Sequence, residues 1–265
     1  HIFWNEVGGA SAVAGAVFRT ISNDRYGRLD PQQVEAAVRG PNIHYPRTGL
    51  VCLENTHNRC GGTVLTPQDI QAVADVAHRH SIPVHLDGAR IFNAAVYLGI
   101  PAQALAKEAD SVCFCVSKGL SAPIGSLLCG TEPFIRQARK WRKMVGGGMR
   151  QVGVIAAAGI VALETMVERL AEDHATARRL AEGLVKIPGI RLDLSRVQTN
   201  IVIFEWSGGP APELIQQLAG RGVKCTYPGG QRVRMVTHRH ITNQDVDDAL
   251  ERVDQVAREA LGATV

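Results

Sequence analysis

The sequence has no CxxC pair, no set of cysteines or histidines at metal-ligand spacing, no GxGxxG or P-loop fingerprint, and no apolar run long enough to cross a bilayer. Each absence removes a class. Six cysteines (Cys52, Cys60, Cys113, Cys115, Cys129 and Cys225) without a paired spacing point to reduced, mostly buried thiols in a cytoplasmic protein rather than to a disulfide framework or a zinc site. The two "HRH" triplets, at 78–80 and 238–240, imply no metal either, because residues two apart on a helix do not face one site. Without the glycine fingerprints a nicotinamide or nucleotide reading has no anchor. The longest apolar stretch, Val152 to Leu163, is too short to span a membrane and is rich in alanine and glycine, which predicts a close-packed buried helix. The formal charge of +4 is spread along the chain with one dense basic run, so nucleic acid is not an expected partner. There is no internal repeat, no low-complexity tract and no signal-peptide pattern, and the chain opens on His1 within what reads as an ongoing pattern, as a piece of a longer protein would.

What is present is the alternation of an α/β protein. At 265 residues and 45% hydrophobic content the chain can bury one large core and a smaller one. Helix starts at Asp30-Pro31 and Thr66-Pro67 combine an N-cap residue with proline at the first helical position. Between the helices lie short strands: "GLVCLENT", "IPVHLDGAR", "DSVCFCVSKG" and "IGSLLCG". The expected architecture is a mostly parallel sheet flanked by helices over 1–150, a long connecting helix over 151–186, and a small α+β domain over 187–265. In the basic run Arg136 to Lys143, Trp141 is expected to tuck inward beneath a solvated face. Polar groups close several apolar strands, and the carboxyl edge of an open α/β sheet is where ligands sit.

Lys118 follows such a strand, flanked by the small residues Ser117, Gly119, Ser121 and Ala122, which leave room for a ligand. A lysine in an apolar setting can lose its proton and form a Schiff base. Asp87, at the end of the preceding strand, either caps the next helix or is the carboxylate that keeps a pyridoxal phosphate ring nitrogen protonated. Arg90 lies close enough in sequence to grip a carboxylate bidentately. His57 occupies a loop after a strand, where most histidines are merely solvated. Lys143 and Arg150 bracket a glycine run that precedes a helix, a place where backbone amides meet phosphates or a neighbouring subunit.

The segments "HIFWNEVGG", "PRTGLVCLENTHNRCGG", "HLDGARIFNA", "FCVSKGLSAPIGS", "RKMVGGGMRQVGVIAAAGI" and "RVRMVTH" together closely resemble the L-threonine aldolases, pyridoxal-phosphate enzymes of the aspartate-aminotransferase fold (fold type I). The resemblance runs through the whole chain in order. It implies that Lys118 is the Schiff-base lysine, Asp87 the pyridine-nitrogen partner and His1 the histidine stacked on the cofactor ring. It further implies that Arg234, with Arg90 beside it, grips the substrate carboxylate, and that His57 faces the β-hydroxyl. Family members carry a phosphate-cradling segment ahead of the histidine that His1 matches, and that segment is absent from this sequence.

The activity implied is cleavage of L-threonine, L-allo-threonine and related β-hydroxy amino acids to glycine and an aldehyde, in a cytoplasmic homotetramer built as a dimer of dimers. His57 is the expected base, directly or through a water, with His1 as the second candidate. Another fold type I lyase or aminotransferase, or a non-catalytic fragment, remains open on the residues alone.

Overall fold

A computed structural model describes residues 1–262; residues 263–265, the end of the expected small domain, lie outside the described chain. In chain order the elements are α1 (Gly9–Ala14), α2 (Pro31–Ala37), β1 (Val51–Glu54), α3 (Pro67–Arg79), β2 (Val84–Asp87), α4 (Ile91–Leu98), α5 (Ala102–Ala106), β3 (Ser111–Cys115), β4 (Ser126–Gly130), α6 (Glu132–Met144), α7 (Gly153–Thr165), α8 (Leu170–Leu184), β5 (Ile190–Arg191), β6 (Ile201–Trp206), α9 (Ala211–Gly220), β7 (Arg232–Val236) and α10 (Asn243–Gly262).

The helix starts follow their chemistry. At the head of α3 the Thr66 hydroxyl accepts from the Asp69 backbone N–H at 3.2 Å, and the Asp69 carboxylate accepts from the Thr66 N–H at 2.8 Å, a closed capping box. At α2 the Asp30 side chain accepts from Gln32 N–H at 2.9 Å. These bonds satisfy backbone donors that have no partner within their helix.

β1, β2 and β3 run parallel and β4 closes the sheet antiparallel to β3, in the order β1-β2-β3-β4. Val84 and Leu86 of β2 are fully buried while His85 and Asp87 are half-buried, the two-residue alternation of a strand. The register places Glu54 opposite Asp87 and Asp87 opposite Cys113. Three polar strand positions therefore line up at one carboxyl edge. β5, β6 and β7 form a separate antiparallel sheet, packed by α8, α9 and α10 around Phe204, Trp206 and Leu218. Beyond β6 a single bridge, Thr226 to Arg234, joins the segment before β7 to that strand.

Side chains bind the two units. Thr199 donates its hydroxyl to Gly62 O at 2.7 Å, and Gln198 accepts from Val64 N–H at 2.8 Å. Asn93 of α4, itself buried, donates to His174 Nε2 of α8 at 3.0 Å and to Asn200 Oδ1 at 3.5 Å.

Three expectations need correction. The connecting helix over 151–186 is two helices, broken at 166–169, because the turn lets Leu170 pack beneath Gly119, where an added Cβ would stand 2.6 Å from the leucine Cδ2. Tertiary packing overrides an unbroken helical propensity here. The apolar helix α7 is not close-packed: only Gly159 and Ala162 are buried, and Val154 is 79% exposed. Trp141 is not tucked inward but 54% exposed on α6, which buries no residue. Among the described residues neither helix has a covering layer. All six cysteines are free; Cys60 is buried, Cys129 exposed and the other four half-buried.

Candidate active site

Glu54 organises the entrance to the site. Ending β1, it is only 14% exposed, and it accepts from His1 Nδ1 at 2.9 Å and from Asn58 backbone N–H at 3.0 Å. Asn58 Nδ2 donates to the other ring nitrogen, His1 Nε2, at 3.0 Å. A carboxylate only accepts, so these partners define a neutral ring with its proton on Nδ1 and its lone pair on Nε2.

His1 forms one wall of a polar cavity of about 240 Å³ whose other walls include Asn58, Arg59, Arg232, Arg234 and Tyr227. Arg234 comes from the small unit, on β7, and its Nε is buried with no hydrogen-bond partner. Burial, followed by the nearby Arg90 guanidinium, lowers its pKa to about 10. Arg90, at the start of α4, is likewise pushed below its ordinary value by burial, against the opposing pull of Cys115, Glu54 and Asp87. Two half-buried guanidinium groups near each other, neither with an ion-pair partner among the described residues, can take up an anion.

Asp87 lies one strand over. Its Oδ1 accepts from Ala89 N–H at 3.1 Å and from the Cys113 thiol at 3.7 Å, while Oδ2 has no hydrogen bond among the described residues. The Cys113 thiol is pushed up to about 12, first by burial and then by Asp87. Lys118 stands exposed in the bend after β3, with no side-chain hydrogen bond or ion pair among the described residues. A separate apolar cavity of about 760 Å³ opens between α4, α5 and β3 and carries none of these groups.

The fold thus brings His1 and Arg234 to one cavity, Arg90 against Arg234, and Asp87 and Lys118 to adjoining strand ends. His57 does not line that cavity, although its neighbours Asn58 and Arg59 do. Its backbone bridges to Thr63, its ring packs against Gly27, its Nδ1 is buried without a partner, and burial lowers its pKa. Lys143 and Arg150 are exposed beyond the cavity, the Lys143 stem lying over Gly148. Glu54, Asn58, Arg59 and Arg232 are the site residues that reading the sequence did not single out. Two signals pointed to them: Glu54 ends a strand as Asp87 does, and Arg232 sits two residues from Arg234 on one strand.

The architecture is that of the fold type I pyridoxal-phosphate enzymes. The solved threonine aldolase of Leishmania major superposes with a TM-score of 0.79 at 20% identity, over 97% of this chain and 75% of that one. A PLP-dependent aminotransferase from Streptococcus suis shares the fold at a TM-score of 0.71 and 15% identity, over 90% of this chain and 63% of that one. At the level of sequence the chain belongs to the beta-eliminating lyase family, which matches residues 1–207. It is 42% identical over 260 residues to low-specificity L-threonine aldolase 1 of Arabidopsis thaliana, covering 96% of this chain and 73% of the relative. It is 37% identical over 246 residues to the low specificity L-threonine aldolase of Escherichia coli, covering 93% of this chain and 72% of the relative.

Proposed function

We propose that the protein is a lyase that cleaves L-threonine, L-allo-threonine and related β-hydroxy amino acids to glycine and an aldehyde, with pyridoxal phosphate as its cofactor. The observation that carries this reading is the convergence of Arg90 and Arg234, from two different units, beside the cavity that His1 lines. The donor set fits the cofactor: a lysine free of partners, a carboxylate with one oxygen open, and an imidazole ring held by two bonds. Lys118 would hold the cofactor covalently, Asp87 would face its ring nitrogen with Arg90 close by, and His1 would stack on the ring. The chemistry supplied by pyridoxal phosphate when bound is an electron sink for the pair released as the Cα–Cβ bond breaks.

The chain's own groups do the rest. Arg234 and Arg90 bind the substrate carboxylate as a fork and so fix the direction of the Cα–Cβ bond. His1 Nε2 exchanges the Asn58 amide for the β-hydroxyl and takes its proton, while Glu54 holds the proton on Nδ1 and steadies the charge that develops. Of the two histidines considered from sequence, His1 is favoured by its position in the cavity, and His57 is left as a relay through water. Lys143 and Arg150 stay candidates for a phosphate or subunit contact, since both are exposed.

Self-association, as a dimer of dimers, is part of the same proposal. Its support is the apolar surface left open on α6 and α7, including Trp141, Met144, Val154 and Val161. Among the described residues no helix is long and apolar enough to cross a membrane. The six unpaired thiols suit a reducing compartment such as the cytoplasm.

The test is direct. Purified protein supplied with pyridoxal phosphate and L-threonine should release glycine and acetaldehyde in equal amounts. Amino-group transfer to a keto acid without aldehyde release would overturn the reading.

A further inference from the structure

Four arginines surround the candidate site, and none of Arg59, Arg90, Arg232 and Arg234 forms an ion pair among the described residues, whereas Arg169, Arg178, Arg179, Arg221 and Arg258 each have a carboxylate partner. Among the described residues no aspartate or glutamate lines the cavity. A single substrate carboxylate, taken by Arg234 and Arg90, leaves two cations on the wall unanswered. Arg232 and Arg234 are two residues apart on β7, and the alternating burial of that strand turns both toward one face. Arg232 is fixed in place: its Nε donates to Gly229 O at 3.2 Å and one terminal nitrogen donates to Pro228 O at 3.1 Å. Neutral carbonyls orient the group without cancelling its charge, and its second terminal nitrogen has no hydrogen bond among the described residues. Arg59, which also lines the cavity, holds its guanidinium 5.4 Å from the centroid of the Trp4 ring, a contact that also steadies a cation without neutralising it.

We propose that Arg59 and Arg232 form a second anion subsite, which selects β-hydroxy amino acids whose β-carbon carries a carboxylate. This rests on the lyase reading above. For 3-hydroxyaspartate the β-hydroxyl loses its proton, the Cα–Cβ bond breaks as the new C=O forms, and Cα gains a proton. The products are glyoxylate and glycine, with no change in overall oxidation state. Threonine offers only a methyl group at the position where the two arginines wait.

The shared chemistry is anion binding, and the cofactor phosphate is its other source, so two measurements separate them. The first uses protein without cofactor: calorimetric titration with succinate and with butyrate. Succinate should bind about tenfold more tightly, as a second charge-assisted contact allows, and the R59Q/R232Q double variant should lose that gap. Equal affinity for the two acids in the wild type would overturn the subsite. The second compares kcat/KM for 3-hydroxyaspartate and L-threonine with cofactor present. The ratio should fall at least about tenfold in the double variant, with R59K/R232K intermediate. An unchanged ratio, or weakened pyridoxal phosphate binding in its place, would assign the arginines to the cofactor and overturn the proposal. If threonine itself is not cleaved, the lyase reading fails, yet the succinate titration still decides whether the subsite exists.

Discussion

Arg90 and Arg234 belong to different structural units, yet both are half-buried and Arg234 is held below its ordinary pKa first by burial and then by Arg90. Like charges meet there at a cost unless an anion joins them. Arg234→Leu should therefore act mainly on substrate binding, raising KM, with about 2–5 kcal/mol at stake for a buried charge pair. Cofactor affinity, read from the visible spectrum, should hold. An unchanged KM would remove Arg234 from the substrate site.

Lys118 contributes little to the fold. It is exposed and without a polar partner among the described residues, so Lys118→Ala should shift stability by no more than about 0.5 kcal/mol. The same change should abolish covalent capture of pyridoxal phosphate, checked by borohydride reduction and intact mass, and should abolish threonine cleavage. A variant that still takes up the cofactor covalently and turns over threonine would move the attachment site elsewhere.

Glu54 is expected to fix the tautomer of His1. Glu54→Gln keeps the size and one acceptor but removes the charge opposite Nδ1. Nitrogen-15 chemical shifts of the His1 ring should show protonated Nδ1 and bare Nε2 in the wild type and a mixed population in the variant. Loss of a base-orienting carboxylate should lower kcat more than it raises KM, whereas a purely structural residue would show its effect in thermal stability.

Much of this was legible from sequence because the signals were local. Asp30-Pro31 and Thr66-Pro67 set their own helix starts, and the carboxyl edge was visible as polar residues closing apolar runs at Asp87 and Lys118. What escaped depends on distant packing. Leu170 breaks a continuous helix because of Gly119, fifty-one residues earlier. The bridge from His57 to Thr63 and the contact of its ring with Gly27 likewise join positions that no local signal pairs. Trp141 and α7 read as buried because apolar composition registers the need for cover and does not say whether this chain provides it.

The last expectation concerns acid stability and turns on His174. Burial lowers its pKa to about 4, and Nε2 accepts a hydrogen bond from Asn93, so the folded protein holds the ring neutral at the junction of α4 and α8. In the unfolded chain the ring titrates near its ordinary value of about 6.5. Above that value both states carry neutral rings and the group has no effect on the balance. As pH falls from about 6.5 toward about 4, the unfolded state binds a proton that the folded state refuses, and stability declines through that window. His57 and His85, also lowered by burial, push in the same direction. His174→Gln retains an acceptor for Asn93 but cannot titrate, so urea unfolding followed between pH 7 and pH 4 should show a shallower loss in the variant than in the wild type. Identical slopes would mean that the ring finds a proton-accepting partner in the folded state and that burial does not govern its titration.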